Sequence, residues 1–281
     1  MKEKIKKFLD FIRNHFKALL FLVFVIWLFS PSEEEVKDYN LAKVYIKGEI
    51  FIADDIIDEL REIYENDEIR GVLLIIDSVG GAVDKSIEIS DIVKKIAKKK
   101  VVVTYASGTL ASGSYYSAIW SNEIIANRGS LIGSIGVIFS GFNYQQLAEK
   151  IGISPQVVKM GKYKEVGTGS REWLPYEEEE IEKVIKDMYK TFVTDVAKAR
   201  GLDLNRSNEF ADAHIFTARQ ALGVGLIDAT GTIIDAEKRV EELSGVTNPI
   251  WEKDNELDRF FKSIATSFLG EITAYLGWKV R

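Results

Sequence analysis

The stretch Ala106-Ser-Gly-Thr-Leu-Ala-Ser-Gly-Ser-Tyr-Tyr-Ser117 sets Ser107, Ser112, Ser114 and Ser117 among small residues, between an apolar run and a segment with helical spacing. A serine at a helix start sits where backbone N–H groups lack intrahelical acceptors and point outward. That position suits a nucleophile whose oxyanion needs donors, and it suits a helix cap equally well. A hydroxyl nucleophile also needs a base. Cysteine is absent, so thiolate chemistry, disulfides and cysteine metal sites are excluded. Histidine occurs twice. His15 lies in the basic N-terminal segment, ahead of an apolar run, and His214 sits in Asp212-Ala-His-Ile-Phe216 with no prepared surroundings. A Ser-His-Asp triad is therefore disfavoured and His214 reads as structural.

Lysine remains. It serves as a base only when neutral, which requires its pKa to fall several units from about 10.4 through burial and distance from carboxylates. Val157-Val-Lys-Met-Gly-Lys-Tyr-Lys-Glu-Val166 supplies Lys159, Lys162 and Lys164, and each taken singly reads as a surface lysine. An oxyanion hole needs backbone donors as well. Asp77-Ser-Val-Gly-Gly81 closes one apolar run and opens a helical pattern, and its two glycines permit close backbone approach. The same pair also fits an ordinary strand-to-helix turn. Neither GxGxxG nor GxxxxGK[ST] spacing is present there, so phosphate binding is not indicated.

The elements that must position these residues alternate between strand and helix. Strand character is expected for Ala42–Ile50, Val72–Ile76, Val101–Tyr105, Glu123–Ala126, Gln156–Met160 and Leu226–Asp228. Val72-Leu-Leu-Ile-Ile76 is apolar throughout, as in a strand buried on both faces. Helical spacing is expected over Ala53–Glu65, Ala82–Lys99, Ser114–Trp120, Asn143–Ile151, Tyr176–Arg200, Thr217–Leu222 and Thr232–Leu243. Alternating β and α elements predict an α/β fold of parallel strands with helices on both faces.

The chain has 281 residues, 46% apolar and 28% charged, with a net charge of −6. The first 30 residues carry six basic and two acidic side chains, so the rest is more acidic than the total suggests. An acidic body gives no electrostatic reason to bind nucleic acid. Ala18-Leu-Leu-Phe-Leu-Val-Phe-Val-Ile-Trp-Leu-Phe29 is an uninterrupted apolar run behind that basic flank. Pro31 spoils a small-x-small cleavage site, so residues 1–30 are expected to be an uncleaved signal anchor, N-terminus inside. A polar linker over 31–40, a main domain over 41–245 and an amphipathic tail over 246–281 complete the expected organisation. The tail carries an apolar stripe of Leu257, Phe260, Phe261, Ile264, Phe268 and Ile272.

Four motifs together resemble the signal peptide peptidase A family, membrane-anchored Ser/Lys peptidases of the Clp-protease/crotonase fold. They are Asp77-Ser-Val-Gly-Gly81, Leu110-Ala-Ser-Gly-Ser-Tyr-Tyr116, Leu131-Ile-Gly-Ser-Ile-Gly-Val137 and Met160-Gly-Lys-Tyr-Lys-Glu165, with weaker similarity from Val44 to Glu242. The resemblance implies repeated β-β-α units. It implies Ser112 as nucleophile, Lys164 as general base and Ser134 as the hydroxyl orienting that lysine. It further implies oxyanion donors at the N–H groups of Gly81 and Gly113, with Gly80 supporting the turn. Two positions depart from the family pattern. Val79 stands where proline is usual, so other contacts must hold the turn; Ser114 replaces a second glycine after the nucleophile.

The expectation is a single-pass, membrane-anchored serine endopeptidase with an extracytoplasmic catalytic domain. By resemblance it would cleave remnant signal peptides and other unfolded apolar peptides, without metal or cofactor, as a homo-oligomeric ring. One subunit would then be able to complete its neighbour's site. The alternatives are a non-catalytic peptide-binding or assembly protein on the same fold, and an acyl-CoA enzyme of the crotonase type. The polar set Ser112, Ser134 and Lys164 argues against the first. The anchor and the Ser/Lys pair argue against the second.

Overall fold

The computed structural model describes residues 13–18, 20–23 and 39–252. Residues 13–18 and 20–23 are helical and belong to a unit distinct from the one beginning at Tyr39. The rest of the expected anchor, the linker up to Asp38 and the tail from residue 253 lie outside the described residues. Among the described residues no helix is long and apolar enough to cross a membrane.

The strands are β1 (Leu41–Ile50), β2 (Gly71–Gly81), β3 (Val101–Ala111), β4 (Glu123–Ala126), β5 (Leu131–Gly133), β6 (Ile215–Thr217) and β7 (Ala229–Thr230). β1, β2, β3, β4 and β7 lie side by side in that order, all parallel. β5 pairs parallel with β3 and antiparallel with β6. The apolar run Val72–Ile76 is buried along its length, as a strand covered on both faces requires.

The first three strands bend at one level. Pairing shifts register between Lys47 and Glu49 in β1 and between Ile76 and Ser78 in β2. At that level β3 changes partner: Val103–Ala106 pair with β4 and Thr109–Ala111 with β5. Irregularities of this kind re-aim a strand and are common beside functional sites. β3 thus acts as two short strands before its helix, while β1 and β2 keep their partners across the shift.

The helices are α1 (Asp54–Glu65), α2 (Val83–Ala97), α3 (Gly113–Ala118), α4 (Gln145–Lys150), α5 (Pro175–Arg200), α6 (Ser207–Phe210), α7 (Ala218–Gly223) and α8 (Ile233–Ser244). On one face α1, α2, α3 and α5 bury Leu60, Ile89, Tyr115 and Val196 in a large core with Val44, Leu74 and Ala106. On the other, Ala236 and Val240 of α8 cover Leu41, Leu73, Ile75, Val103 and Ile125. Both faces are covered, as the alternating pattern predicts.

Four expectations need correction. Leu226–Asp228 is not a strand; the strand follows it, as β7 over Ala229–Thr230. β2 continues past Ile76 to Gly81, and β3 past Tyr105 to Ala111. Their small polar residues have weak strand propensity, but neighbouring strands extend the ladder through them. Gln156–Met160 is not a strand. Val158 and Met160 are exposed and among the described residues no neighbouring strand offers a ladder, so propensity has nothing to act on. The whole segment 137–174 forms an arm whose one helix, α4, buries no residue.

Leu73 is fully buried under α8. Leu73→Ala is expected to cost about 2–5 kcal/mol, through lost burial plus the cavity left behind. A lowered denaturant midpoint at unchanged slope checks it.

Candidate active site

β3 ends at Ala111 and α3 begins at Gly113, which leaves Ser112 as the whole turn. Its backbone sits at φ 53°, ψ −126°, where L side chains are rare. Such a residue stores roughly 1–3 kcal/mol of strain and persists only where its surroundings over-determine it. Ser112 N–H donates to the Gly133 carbonyl at 2.7 Å, and the Ser112 carbonyl accepts from Tyr116 N–H at 3.0 Å.

Gly80 and Gly81 close β2 beside this turn. Gly80 holds φ 93°, and a Cβ there would lie 2.5 Å from Gly113 N and 2.8 Å from the Ala111 carbonyl. A Cβ on Gly113 would lie 2.2 Å from Ser86 Oγ and 3.2 Å from Gly81 N. Only glycine fits at either place, and the backbone of Gly81 and Gly113 lies close together because of it. Gly113 is the first residue of α3, so its N–H has no intrahelical acceptor. Ser112, Gly81 and Gly113 line one cleft of ≈ 340 Å³, walled by Val83, Ile87, Tyr116, Val137, Met188 and Phe192. The ring of Tyr116 meets Phe192 edge-on with centroids 4.7 Å apart, and its hydroxyl donates to Asp195 at 2.5 Å. Burial, reinforced by Asp195, holds that phenol protonated well above its usual range.

The other serines of the stretch are committed elsewhere. Ser107 Oγ donates to the Ile76 carbonyl at 3.2 Å, and Ser117 Oγ to the Gly113 carbonyl at 2.9 Å. Ser114 is fully buried; its Oγ accepts from Ala111 N–H at 2.9 Å and donates to the Ser78 carbonyl at 2.7 Å. Ser78 Oγ accepts from Gly80 N–H at 3.1 Å. Ser114 and Ser78 are therefore the contacts that hold the turn where Val79 replaces proline. Ser112 Oγ has no hydrogen-bond partner among the described residues and faces the cleft. The supporting roles of Ser78 and Ser86 were not foreseen; the only signal was their place on either side of the glycine pair.

Ser134 also has a positive φ, 50°. Its N–H donates to the His214 carbonyl at 2.7 Å, and it directly follows the Gly133 that anchors Ser112. This places Ser134 one residue from the carbonyl that holds Ser112. The His214 ring is exposed and lies against Phe216, 6.1 Å between centroids. Its carbonyl, not its imidazole, serves the site.

The three candidate lysines separate cleanly. Lys159 Nζ pairs with Glu165 at 2.8 Å, which raises its pKa, the wrong direction for a base. Lys162 Nζ lies over the rings of Tyr176 and Tyr163, 4.4 and 5.1 Å from their centroids. Lys164 is exposed, and among the described residues its amine has no hydrogen-bond, ion-pair or ring partner. No hydrogen bond joins it to Ser112 or Ser134 within the chain. Of the arm only its first residue, Val137, lines the cleft; the loop that carries Lys164 does not. Among the described residues no cluster of His, Asp or Glu could hold a metal.

Comparison with known proteins gives the following. The family model for peptidase family S49 matches residues 94–247, and that for Clp protease matches residues 39–121. A candidate protease of Methanocaldococcus jannaschii is 37% identical over 243 residues, 80% of this chain and 78% of that one. A candidate protease of Synechocystis sp. is 37% identical over 224 residues, 79% of each chain. A candidate signal peptide peptidase SppA of Enterococcus faecium is 34% identical over 226 residues, 79% of this chain and 64% of that one.

Ser114→Ala strands the Ser78 carbonyl and the Ala111 N–H. It is expected to cost about 1–3 kcal/mol, the desolvation cost of buried groups left unpaired. Thermal unfolding followed by circular dichroism measures it.

Proposed function

The chain belongs to peptidase family S49, and on that premise we propose that it is a serine endopeptidase using Ser112 as nucleophile and Lys164 as base. One observation carries the reading. Of the serines crowded at the β3–α3 turn, Ser112 alone keeps an uncommitted hydroxyl in the cleft, and of the candidates Lys159, Lys162 and Lys164 the last alone keeps an uncommitted amine. A binding protein on the same fold would have no evident use for a strained serine beside two close-set glycines.

The mechanism follows from those groups. Neutral Lys164 Nζ takes the Ser112 hydroxyl proton as Oγ bonds to the scissile carbonyl carbon. The resulting oxyanion accepts hydrogen bonds from Gly81 and Gly113 N–H, donors held in place before the reaction begins. Collapse breaks the C–N bond, and the departing amine takes the proton from the Lys164 ammonium. Water then gives a proton to Lys164 and attacks the ester; breaking of the acyl–oxygen bond returns the proton to Ser112. Ser134 orients the amine with a hydroxyl, which does not hold it charged as a carboxylate would. The apolar cleft walls favour an apolar substrate side chain next to the cleaved bond.

In this reading the dyad forms between subunits. Lys164 lies on an arm that exposes Ile138 (85%), Phe142 (92%) and Val158 (102%), more apolar surface than a lone subunit profits from showing to water. A second copy covering that arm would bring Lys164 to its neighbour's Ser112, and the resemblance to Clp protease supports such an assembly. The relative named signal peptide peptidase suggests remnant signal peptides as substrates. The run 18–29 suggests attachment to the membrane where they accumulate, with the catalytic domain on the extracytoplasmic side.

Hydrolysis of an apolar fluorogenic peptide tests this. Ser112→Ala and Lys164→Ala are each expected to lose at least about 10³-fold in kcat, as for removal of one member of a nucleophile–base set. Near-wild-type turnover in either variant overturns the assignment. Co-expressed in equal amounts, the two inactive variants should regain about a quarter of wild-type activity, since random pairing in a symmetric assembly recreates that share of intact sites. No recovery places the dyad within one subunit.

A further inference from the structure

We propose that Arg171 is a positioning residue for the base: it draws the Glu165 carboxylate away from Lys164 and ties the lysine-bearing loop to α5. This rests on the Ser112/Lys164 reading. Glu165 is the next residue after Lys164, and a carboxylate resting on that amine would keep it charged and useless as a base.

The geometry answers that hazard. Glu165 Oε2 accepts from Lys159 Nζ at 2.8 Å and from Arg171 Nη2 at 3.1 Å. Arg171 also donates to both oxygens of Glu177, at 2.7 and 2.8 Å, a two-pronged grip that a lysine cannot reproduce. Glu177 lies in the first turn of α5 with its side chain fully buried. It accepts from Leu174 N–H at 2.8 Å and so fixes the helix start. A chain of charge-assisted bonds therefore runs from Lys159 through Glu165, Arg171 and Glu177 to the longest helix of the fold. Two cations meet two carboxylates, and neither acid is left to seek Lys164.

Between these anchors the backbone turns tightly. Lys164 N–H donates to the Gly161 carbonyl at 3.3 Å, Val166 N–H to Tyr163 at 3.2 Å and Thr168 N–H to Glu165 at 3.1 Å. Trp173 Nε1 closes the far side on the Thr168 carbonyl at 2.7 Å. The titratable groups around the loop are Lys159, Lys162, Glu165, Arg171 and Glu177, with the phenols of Tyr163 and Tyr176. The ion pairs hold both carboxyls below their usual range, Glu165 through Lys159 and Arg171, and Glu177 through Arg171 down to about 2. They stay charged and paired at any pH where a lysine base works. The arrangement serves equally whether Lys164 acts within its own subunit or in a neighbour.

The test is the pH profile of peptide hydrolysis by the full-length protein. A base that must be neutral gives a limb that rises with pH. Arg171→Ala leaves Glu165 with Lys159 alone and should move that limb up by about one unit, with roughly tenfold lower kcat on the limb and KM within about twofold, the size expected of a partly freed nearby carboxylate. Arg171→Ala with Glu165→Gln removes the freed charge and should move the limb back. A purely structural role predicts reduced kcat with the limb in place and no rescue, and that result overturns the proposal. If Arg171→Ala does not fold, Lys159→Ala decides: it removes the other cation on Glu165, an upward shift is expected, and an unmoved limb overturns the proposal. Lys164→Ala keeps the two claims apart. If it retains activity, the dyad reading has failed; if it is inactive while Arg171→Ala leaves the limb in place, only the role of Arg171 has failed.

Discussion

The hydrogen bond from Ser112 N–H to the Gly133 carbonyl, 2.7 Å long, is the constraint on which the site depends. It holds a non-glycine residue at φ 53° between the last residue of β3 and the first of α3. Such a conformation costs roughly 1–3 kcal/mol and would relax if its neighbours were free to move. They are not free. Gly133 ends β5, which is paired with β3 on one side and β6 on the other. The next residue, Ser134, is fixed through its N–H on the His214 carbonyl. The strain that presents the hydroxyl is thus borne by three strands, and Gly80, at φ 93°, packs against the same turn.

Selection at this site works by commitment of the competitors. Several serines and three lysines have the right chemistry, and nearly all are occupied. Ser114 and Ser78 hold the Gly80–Gly81 turn, Ser117 closes on α3, Lys159 is paired and Lys162 is stacked on rings. Of these candidates there remain one hydroxyl in an apolar cleft, that of Ser112, and one amine, that of Lys164, on an arm that buries little of its own apolar surface. In the proposed reading, a second copy of the chain accounts both for the arm's exposure and for the separation of Lys164 from the cleft.

Much of this was legible in the residue order. Val72–Ile76 could only be a strand buried on both faces, and the amphipathic stripe of α5 fixed its bounds within a residue. The extension of β3 through Ala106–Ala111 was not legible, because alanine, serine and glycine carry no strand signal and join the ladder only when β2 and β5 are beside them. Gln156–Met160 misled for the opposite reason: its valines have strand propensity but no neighbouring strand among the described residues. Ser112 and Lys164 were reached through four ordered motifs, since neither differs in type from the residues around it. Only spatial partners distinguish them, and partners such as Glu165 for Lys159 or Ser78 for Ser114 are set by the fold, not by local pattern.

The most direct test of the central claim is where, and how fast, a serine-reactive fluorophosphonate labels the protein. Intact mass and peptide mapping should find one adduct, on Ser112, formed rapidly in the wild type and at least about 10²-fold more slowly in Lys164→Ala, because the hydroxyl then lacks its base. An adduct on another serine, or an unchanged labelling rate without Lys164, would contradict the account.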